Sequence, residues 1–441
     1  YHRGRIPLET RLYGKTYWSD NRNETATVFQ PNAVDSHSVL LGASTAFLSG
    51  TSLNVELSQN SVEQTIMSSR SRYYESKAAF TVTQNLWQDA LGEAMRGQAR
   101  SGELAREAAV AGVEVSVQEW ATSLMDVFYA SWLAQARVFT ARDNLARRER
   151  LETITKIKEK RGTSEEPDVL QASSARINAS VQLAEAEQAL NERWRGLVIS
   201  LKLPESWIHL DPRLIPILLD NPVPAARAAC QKLPAAEDGS RQTAKLRQRE
   251  LELQAAEKSL QAAESRMNPD LELVAGVTAN GINTRERSDS FTETRRFEHP
   301  NWLVGVNLTV PLSRHAEKLE RSQALANRDF ASAMASDAKE GWRLDWINYC
   351  ADLERMVETK ERLNQAYASQ ARRARLEERR FEIGRGTILG VIQAGDDATG
   401  SELNLRNAEA SLRRIAWKVQ RLHDGFRGQI AQWKKLEIPG L

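Results

Sequence analysis

From Arg314 to Ile383 the chain runs for about 70 residues with no proline and a single glycine, Gly341. Leu319, Phe330, Trp342, Trp346, Tyr349, Leu353, Val357, Leu363, Tyr367 and Leu376 recur along it among Arg, Glu and Asp. That is the pattern of a continuous helix whose apolar residues need neighbours to cover them. At 1.5 Å per residue such a rod measures on the order of 100 Å, far longer than an ordinary globular helix. A periodic pattern of this length means coiled coil, helical repeat or membrane span. The charges exclude the span, since no window approaches ~18 apolar residues. The pattern breaks at Phe381-Glu382-Ile383-Gly384-Arg385-Gly386-Thr387, where two glycines permit a reversal, and a second helical pattern runs on to about Gln432. The expectation is an antiparallel helical hairpin over 313–432.

The first 84 residues are unlike this. Val39 to Phe47 leads into the turn residues Ser49-Gly50-Thr51-Ser52, and the returning arm alternates cleanly, with Leu53, Val55 and Leu57 on one side and Asn54, Glu56 and Ser58 on the other. Tyr74, Ala78, Phe80 and Val82 likewise share a face. Residues 6–18 form a further strand candidate, and the polar stretches 19–36 and 59–71 are expected as loops. Alternation alone leaves a soluble sandwich and a membrane barrel both open.

A helical pattern then runs from about Asp89 to Lys160, with Gly92, Gly97, Gly102 and Gly112 allowing its first turns to bend. It breaks at Gly162-Thr163 and resumes after Pro167, a first-turn proline, in an alanine-rich helix to Ser200. Six prolines, Pro204, Pro212, Pro216, Pro222, Pro224 and Pro234, make 203–239 an irregular linker. Helix returns over 240–267, strand candidates and a charged loop fill 268–312, and 433–441 is a tail. The two halves therefore repeat one order of elements. Gly162-Thr163 followed by Val169-Leu170-Gln171-Ala172 answers to Gly386-Thr387 followed by Val391-Ile392-Gln393-Ala394. Each module has helices too long to close a core and strands too few, so association of copies must complete both.

Composition removes several functions. Sixty basic residues oppose 58 acidic ones, which argues against a general nucleic-acid surface. The Arg147-Arg148, Arg372-Arg373, Arg379-Arg380 and Arg413-Arg414 pairs alternate with acids and read as solvated helix faces. Cys230 and Cys350 lack the spacing of a zinc site and leave the redox compartment open. The six histidines are dispersed, and no metal-ligand, nucleophile or phosphate-loop motif accompanies them. No catalytic residue, metal or cofactor is expected. The chain opens on Tyr1 without a signal segment, so any export signal would already be gone.

The order of these motifs resembles the outer-membrane efflux protein family, the TolC-like channels, over nearly the whole chain. Phe381-x-x-Gly384-x-Gly386-Thr387-x-x-x-Val391-Ile392-x-Ala394 is similar to the family's hairpin tip, and Asp168-Val169-Leu170-x-Ala172 is its first-half counterpart. Gln84-Asn85-Leu86 and Val310-Pro311-Leu312 resemble the junctions where barrel strand turns into helix. Leu48-Ser49-Gly50-Thr51-Ser52-Leu53 resembles a turn found in some branches. The resemblance implies a mixed fold in which an outer-membrane β-barrel and a long periplasmic α-helical barrel are completed by trimerisation. A periplasmic adaptor and an inner-membrane transporter would be its partners. It also implies a helix before the first strand and two strands per half, whereas the first half here offers four candidates.

The function so implied is a passive outer-membrane exit duct for efflux or type I secretion, in the outer membrane of a Gram-negative bacterium and extending into the periplasm. The alternative is a periplasmic coiled-coil scaffold or adaptor without a channel. The tips Gly162, Thr163, Gly384, Arg385, Gly386 and Thr387 would meet the adaptor, and Gln84, Leu86, Pro311 and Leu312 would form the junctions. Matching the family's tip acids puts Gly390 and Gln393 at those positions. Asp396 and Asp397, one turn further on, would supply a displaced acidic ring, the plainer reading being solvated helix residues. Asp168, Glu165 and Glu166 would serve similarly, although acids also suit a helix N-terminus. Tyr13, Trp18, Tyr73, Tyr74 and Trp302 would suit interfacial girdles, and Glu56, Lys77 and Asn307 a wet inner wall.

Overall fold

The computed structural model describes residues 9–22, 24, 27, 29–66, 69–214, 220–231, 243–424 and 426. The start of the 6–18 strand candidate, the start of the 240–267 helix, the end of the 313–432 hairpin and the 433–441 tail lie outside them. The chain divides into two compact units, Tyr1–Val110 with Gln248–Ser336, and Ala111–Arg247 with Asp337–Leu441.

The first unit holds one antiparallel sheet of β1 (Arg11–Asn21), β2 (Ala33–Ala46), β3 (Thr51–Ile66), β4 (Ser69–Asn85), β5 (Asp270–Asn283) and β6 (His299–Thr309), in chain order. The hairpin 39–58 is inside this sheet, so six strands stand where the resemblance implied four. The expected polar loops 19–36 and 59–71 are strand over much of their length, because β1 runs to Asn21 and β2, β3 and β4 include Asp35, Glu63 and Arg72. Polar side chains at the strand ends are compatible with pairing because the ladder bonds are made by backbone. The charged loop expected within 268–312 contains a helix, α5 (Arg287–Arg296), which its polar composition concealed.

The register gives the sheet two different faces. One row crosses all six strands as Leu12, Ala43, Val55, Phe80, Val277 and Trp302, and the next row on the same face holds Leu53, Val82, Ala275 and Val304. The opposite face carries Lys15, Ser58, Lys77, Asn280 and His299 in one row and Tyr13, Glu56, Thr278 and Asn301 in another. Glu56 and Asn307 share this polar face, as expected for a wet wall. Of the proposed girdle residues, Trp18, Tyr74 and Trp302 lie on the apolar face, whereas Tyr13 and Tyr73 lie on the polar one. Tyr13 donates to Asn54 Oδ1 at 2.9 Å and lies across Gly42, where a Cβ would meet its ring.

Below the sheet the β2–β3 turn rests on the start of α1 (Glu93–Lys160). Gly50 and Gly92 both have positive φ, 70° and 81°, and a Cβ on Gly92 would lie 1.9 Å from Leu48 O. Only glycine fits there. Asp89 caps α1 through Ala94 N at 2.6 Å. Gly97 serves packing rather than bending, since its Cα side meets Lys258 O and Ala262 of α4 (Ala244–Ser265), and Ser101 donates to Ala255 O at 2.8 Å.

The second unit is built from the distal part of α1, α2 (Glu166–Ser200), the distal part of α6 (His315–Glu382) and α7 (Ile388–Asp424). Its core lies in several small clusters, some within a hairpin and some between the two. One is Trp342, Trp346, Leu353, Leu412, Ala416 and Val419 around Ala226 of the short helix α3 (Val223–Gln231). Another is Tyr129, Ala121, Ala410, Trp417 and Phe426, in which Trp417 Nε1 donates to Tyr129 Oη at 2.9 Å. The proline-rich linker is held to the helices by side chains that satisfy its carbonyls: Gln135 donates to Pro212 O and Gln420 to Pro222 O. Arg227 makes a two-pronged ion pair with Glu354, and Cys230 is disulfide-bonded to Cys350. Cysteine spacing gave no sign of that bond, because the partners are 120 residues apart and only the packing of α3 on α6 brings them together.

Candidate functional site

The two helical reversals are built alike. Gly162 and Gly384 adopt φ of 73° and 77°, the left-handed conformation that ends a helix cheaply only at glycine. The following amide reaches back across the last turn in each: Thr163 N donates to Lys158 O at 2.9 Å, and Arg385 N to Arg380 O at 2.8 Å. Gly386 is a place of close approach, where a Cβ would lie 2.8 Å from Phe381 N. Thr387 caps α7 by accepting from Gly390 N at 3.2 Å. Asp168 is spent on capping α2, accepting from Ser164 Oγ at 2.8 Å and Glu165 N at 3.4 Å, while Glu165 and Glu166 are exposed.

The tips are fastened to each other within the chain. Leu151 and Ala172 of the first hairpin pack with Phe381, Ile388 and Val391 of the second. Lys158 Nζ donates to Phe381 O and stands 4.0 Å from the centre of the Phe381 ring. Arg148 is buried, 4% exposed at its side chain, and donates to Ile392 O at 2.9 Å and Asp396 Oδ1 at 2.5 Å. Asp397 pairs with Arg373 at 3.0 Å. The reading of Arg147-Arg148 as a solvated face therefore fails at Arg148, whose guanidinium fills a gap beside Gly395. Leu389, Gln393, Asp396 and Gly400 form an exposed stripe along α7, with Gly390 half-buried beside it. Arg148, Lys158 and Phe381 were not marked out in sequence as a linked set, and the only signal they gave was a cation or aromatic at each tip.

Charge around the first hairpin is organised by Glu152, which pairs with Lys156 at 3.0 Å and Arg176 at 2.8 Å. The hydrogen bond from Lys156, aided by Ser173 and the two cations against the cost of burial, holds its carboxyl below the usual carboxylate range. Burial pushes the Tyr129 hydroxyl up.

At the junctions, Gln84 donates to Ser49 O and Asn85 O at 3.0 Å and accepts from Thr51 Oγ1 at 2.5 Å, tying strand end to turn. Leu86 N donates to Leu271 O at 2.8 Å. Leu312 is fully exposed, Pro311 is half-buried, and Arg314 closes the second junction by donating to Met267 O at 3.2 Å.

No protein-family model and no curated protein matches the sequence. Solved structures do. The outer-membrane channel OprN aligns at TM-score 0.67 and 15% identity over 96% of this chain and 83% of its own. The outer membrane protein VceC from Vibrio cholerae aligns at 0.68 and 11% over 96% and 89%. The CmeC outer membrane channel of Campylobacter jejuni aligns at 0.68 and 12% over 96% and 79%. The chain thus has the fold of the outer-membrane channel proteins, which the order of its strands, junctions and reversals had implied.

Proposed function

We propose that this chain is one protomer of an outer-membrane exit duct. The observation that carries the proposal is the sheet, which is apolar on one face and polar on the other and leaves β1 and β6 without outer partners among the described residues. In lipid every backbone group needs a partner, so such a sheet must close on further copies. Three copies would bring eighteen strands to the ring, a number that leaves an aqueous channel. The apolar face would then meet lipid and the polar face the passage. The helices would stand in the periplasm of a Gram-negative cell, where the Cys230–Cys350 disulfide is at home.

In this reading transport is passive, by efflux or type I secretion, with energy from an inner-membrane transporter. A periplasmic adaptor docks at the reversals 162–163 and 384–387. The exposed α7 stripe through Gln393 and Asp396 lines the periplasmic aperture, which opens when the inner helices α2 and α7 swing outward. The test is extraction, mass and conductance together. A duct requires detergent for solubility, has the mass of three chains and conducts in planar bilayers. A water-soluble monomer or dimer that does not conduct would overturn it in favour of a scaffold. Asp396→Ala with Asp397→Ala should lower cation preference, and an unchanged preference removes these two carboxylates from selectivity.

A further inference from the structure

We infer that α5 is a membrane-surface helix, lying in the phosphate-bearing headgroup layer on the outside of the sheet; this rests on the duct reading for the direction of the faces. The starting observation is which face it occupies. Ser290 Oγ lies 2.8 Å from Ser76 Oγ, and Gln59 Nε2 donates to Ser290 Oγ at 3.4 Å. Gln59, Ser76 and Gly281 form one cross-strand row, in the same register as Leu57, Phe80 and Val277. A helix in the β5–β6 connection therefore sits on the apolar face, not over the polar one, so it cannot be a plug of the passage.

Its seat is built. A Cβ on Gly281 would lie 2.1 Å from Ser290 O, so only glycine lets the helix down onto the strand. Ser76, Ser290 and Thr294 are buried between helix and sheet, and Thr294 Oγ1 donates to Ser76 O at 3.0 Å. The helix thereby covers a polar patch just past the apolar rows of this face, which further from α4 and α6 carries Asp35, Glu63 and Arg72.

Its outer side has two chemistries. Phe291 and Phe297 are about half exposed, which continues the apolar surface. Arg287 lies 5.5 Å over the Tyr74 ring, and Arg295 is exposed beside Arg296. Of the acids nearby, Asp289 is exposed in the first turn, whereas Glu293 accepts from Ile282 N and Asn283 Nδ2, Glu286 accepts from Ser288, and Glu298 pairs with Arg296. Aromatic rings that favour acyl chains and guanidinium groups that favour phosphate and water are satisfied together only at the bilayer interface. The helix also stands at the ends of β5 and β6 remote from α4 and α6, and beyond it β3 and β4 run on through the ion pair of Glu63 and Arg72, so this is the level at which a barrel leaves the hydrocarbon.

The experiment uses single cysteines bearing a nitroxide, since both native cysteines are joined to each other. The full chain with Phe291→Cys, Val304→Cys or Ser58→Cys is reconstituted in vesicles of phosphatidylethanolamine and phosphatidylglycerol, and collisions with oxygen and with a water-soluble nickel chelate are compared. Val304 should report hydrocarbon, Ser58 water, and position 291 an oxygen-to-nickel ratio between them, several-fold above that of Ser58. Should Val304 and Ser58 fail to separate, the duct reading falls. Should they separate while position 291 matches Ser58, the surface helix falls and the duct stands. Gly281→Val should release the helix, moving the label at 291 to the water value with Val304 unchanged. A label at 291 that ignores Gly281→Val overturns the seat. Thr292→Cys provides a second reporter on the same helix if position 291 does not tolerate the label.

Discussion

Arg148 shows how unequal the two ends of one ion pair can be. Its guanidinium is buried and serves a carbonyl as well as a carboxylate, whereas Asp396 is 61% exposed. Arg148→Met should cost about 1–3 kcal/mol, the range for losing hydrogen bonds from a charged donor. Asp396→Ala should cost less than about 1 kcal/mol, because water replaces the lost partner. Equal losses in thermal unfolding would mean that the pair, and not the buried donor, does the fastening. Glu152 gives a pH dependence of known sign. Its folded pKa is depressed, so its contribution is complete at neutral pH and is lost as pH falls through that lowered value. Glu152→Gln should flatten the acid limb of stability measured between neutrality and about pH 3. Sequence could not separate Arg148 from Arg147, since burial within a helix is decided by which face meets another helix. Asp168 was read as part of an acidic ring, with the helix N-terminus as the plainer reading, and its bonds to Ser164 and Glu165 give it that plainer place.

Among elements, the long helices and both reversals were legible because their signals are local: proline-free periodicity, then glycine. The strand faces were legible too, since alternation carries the face assignment directly, as Leu53, Val55 and Leu57 show. Strand ends and α5 were not, because Gln59, Ser61 and Glu63 are polar residues whose pairing depends on β4, and Ser290 and Thr294 are buried only by the sheet below. Nor was the meeting of Gly50 with Gly92, two ordinary glycines 42 positions apart that share one contact. Gly92→Ala would force a Cβ into Leu48 O at a positive φ, at a cost of at least about 1–3 kcal/mol. The expected result is a smaller fraction of assembled protein, with the helical content of the second unit kept. A Gly92→Ala protein that assembles normally would show that the turn can move off the helix.

For the whole molecule, the two halves repeat their order of elements but not their strand number, four before α1 and two before α6. Among the described residues the outer edges of β1 and β6 are unpaired, the edges that the duct reading closes with further copies. The disulfide acts elsewhere, in the second unit, where reduction should lower stability by roughly 2–5 kcal/mol and leave the ladder of the sheet unchanged by infrared amide bands.

Cys230 and Cys350 also turn everything between them into a covalent ring that includes β5, α5 and β6. A protease that nicks the exposed turn at Arg285 or cuts after Arg296 would therefore open the ring without parting the chain. On a gel run without reductant the product keeps the size of the intact polypeptide, and it separates into two pieces only when thiol is added.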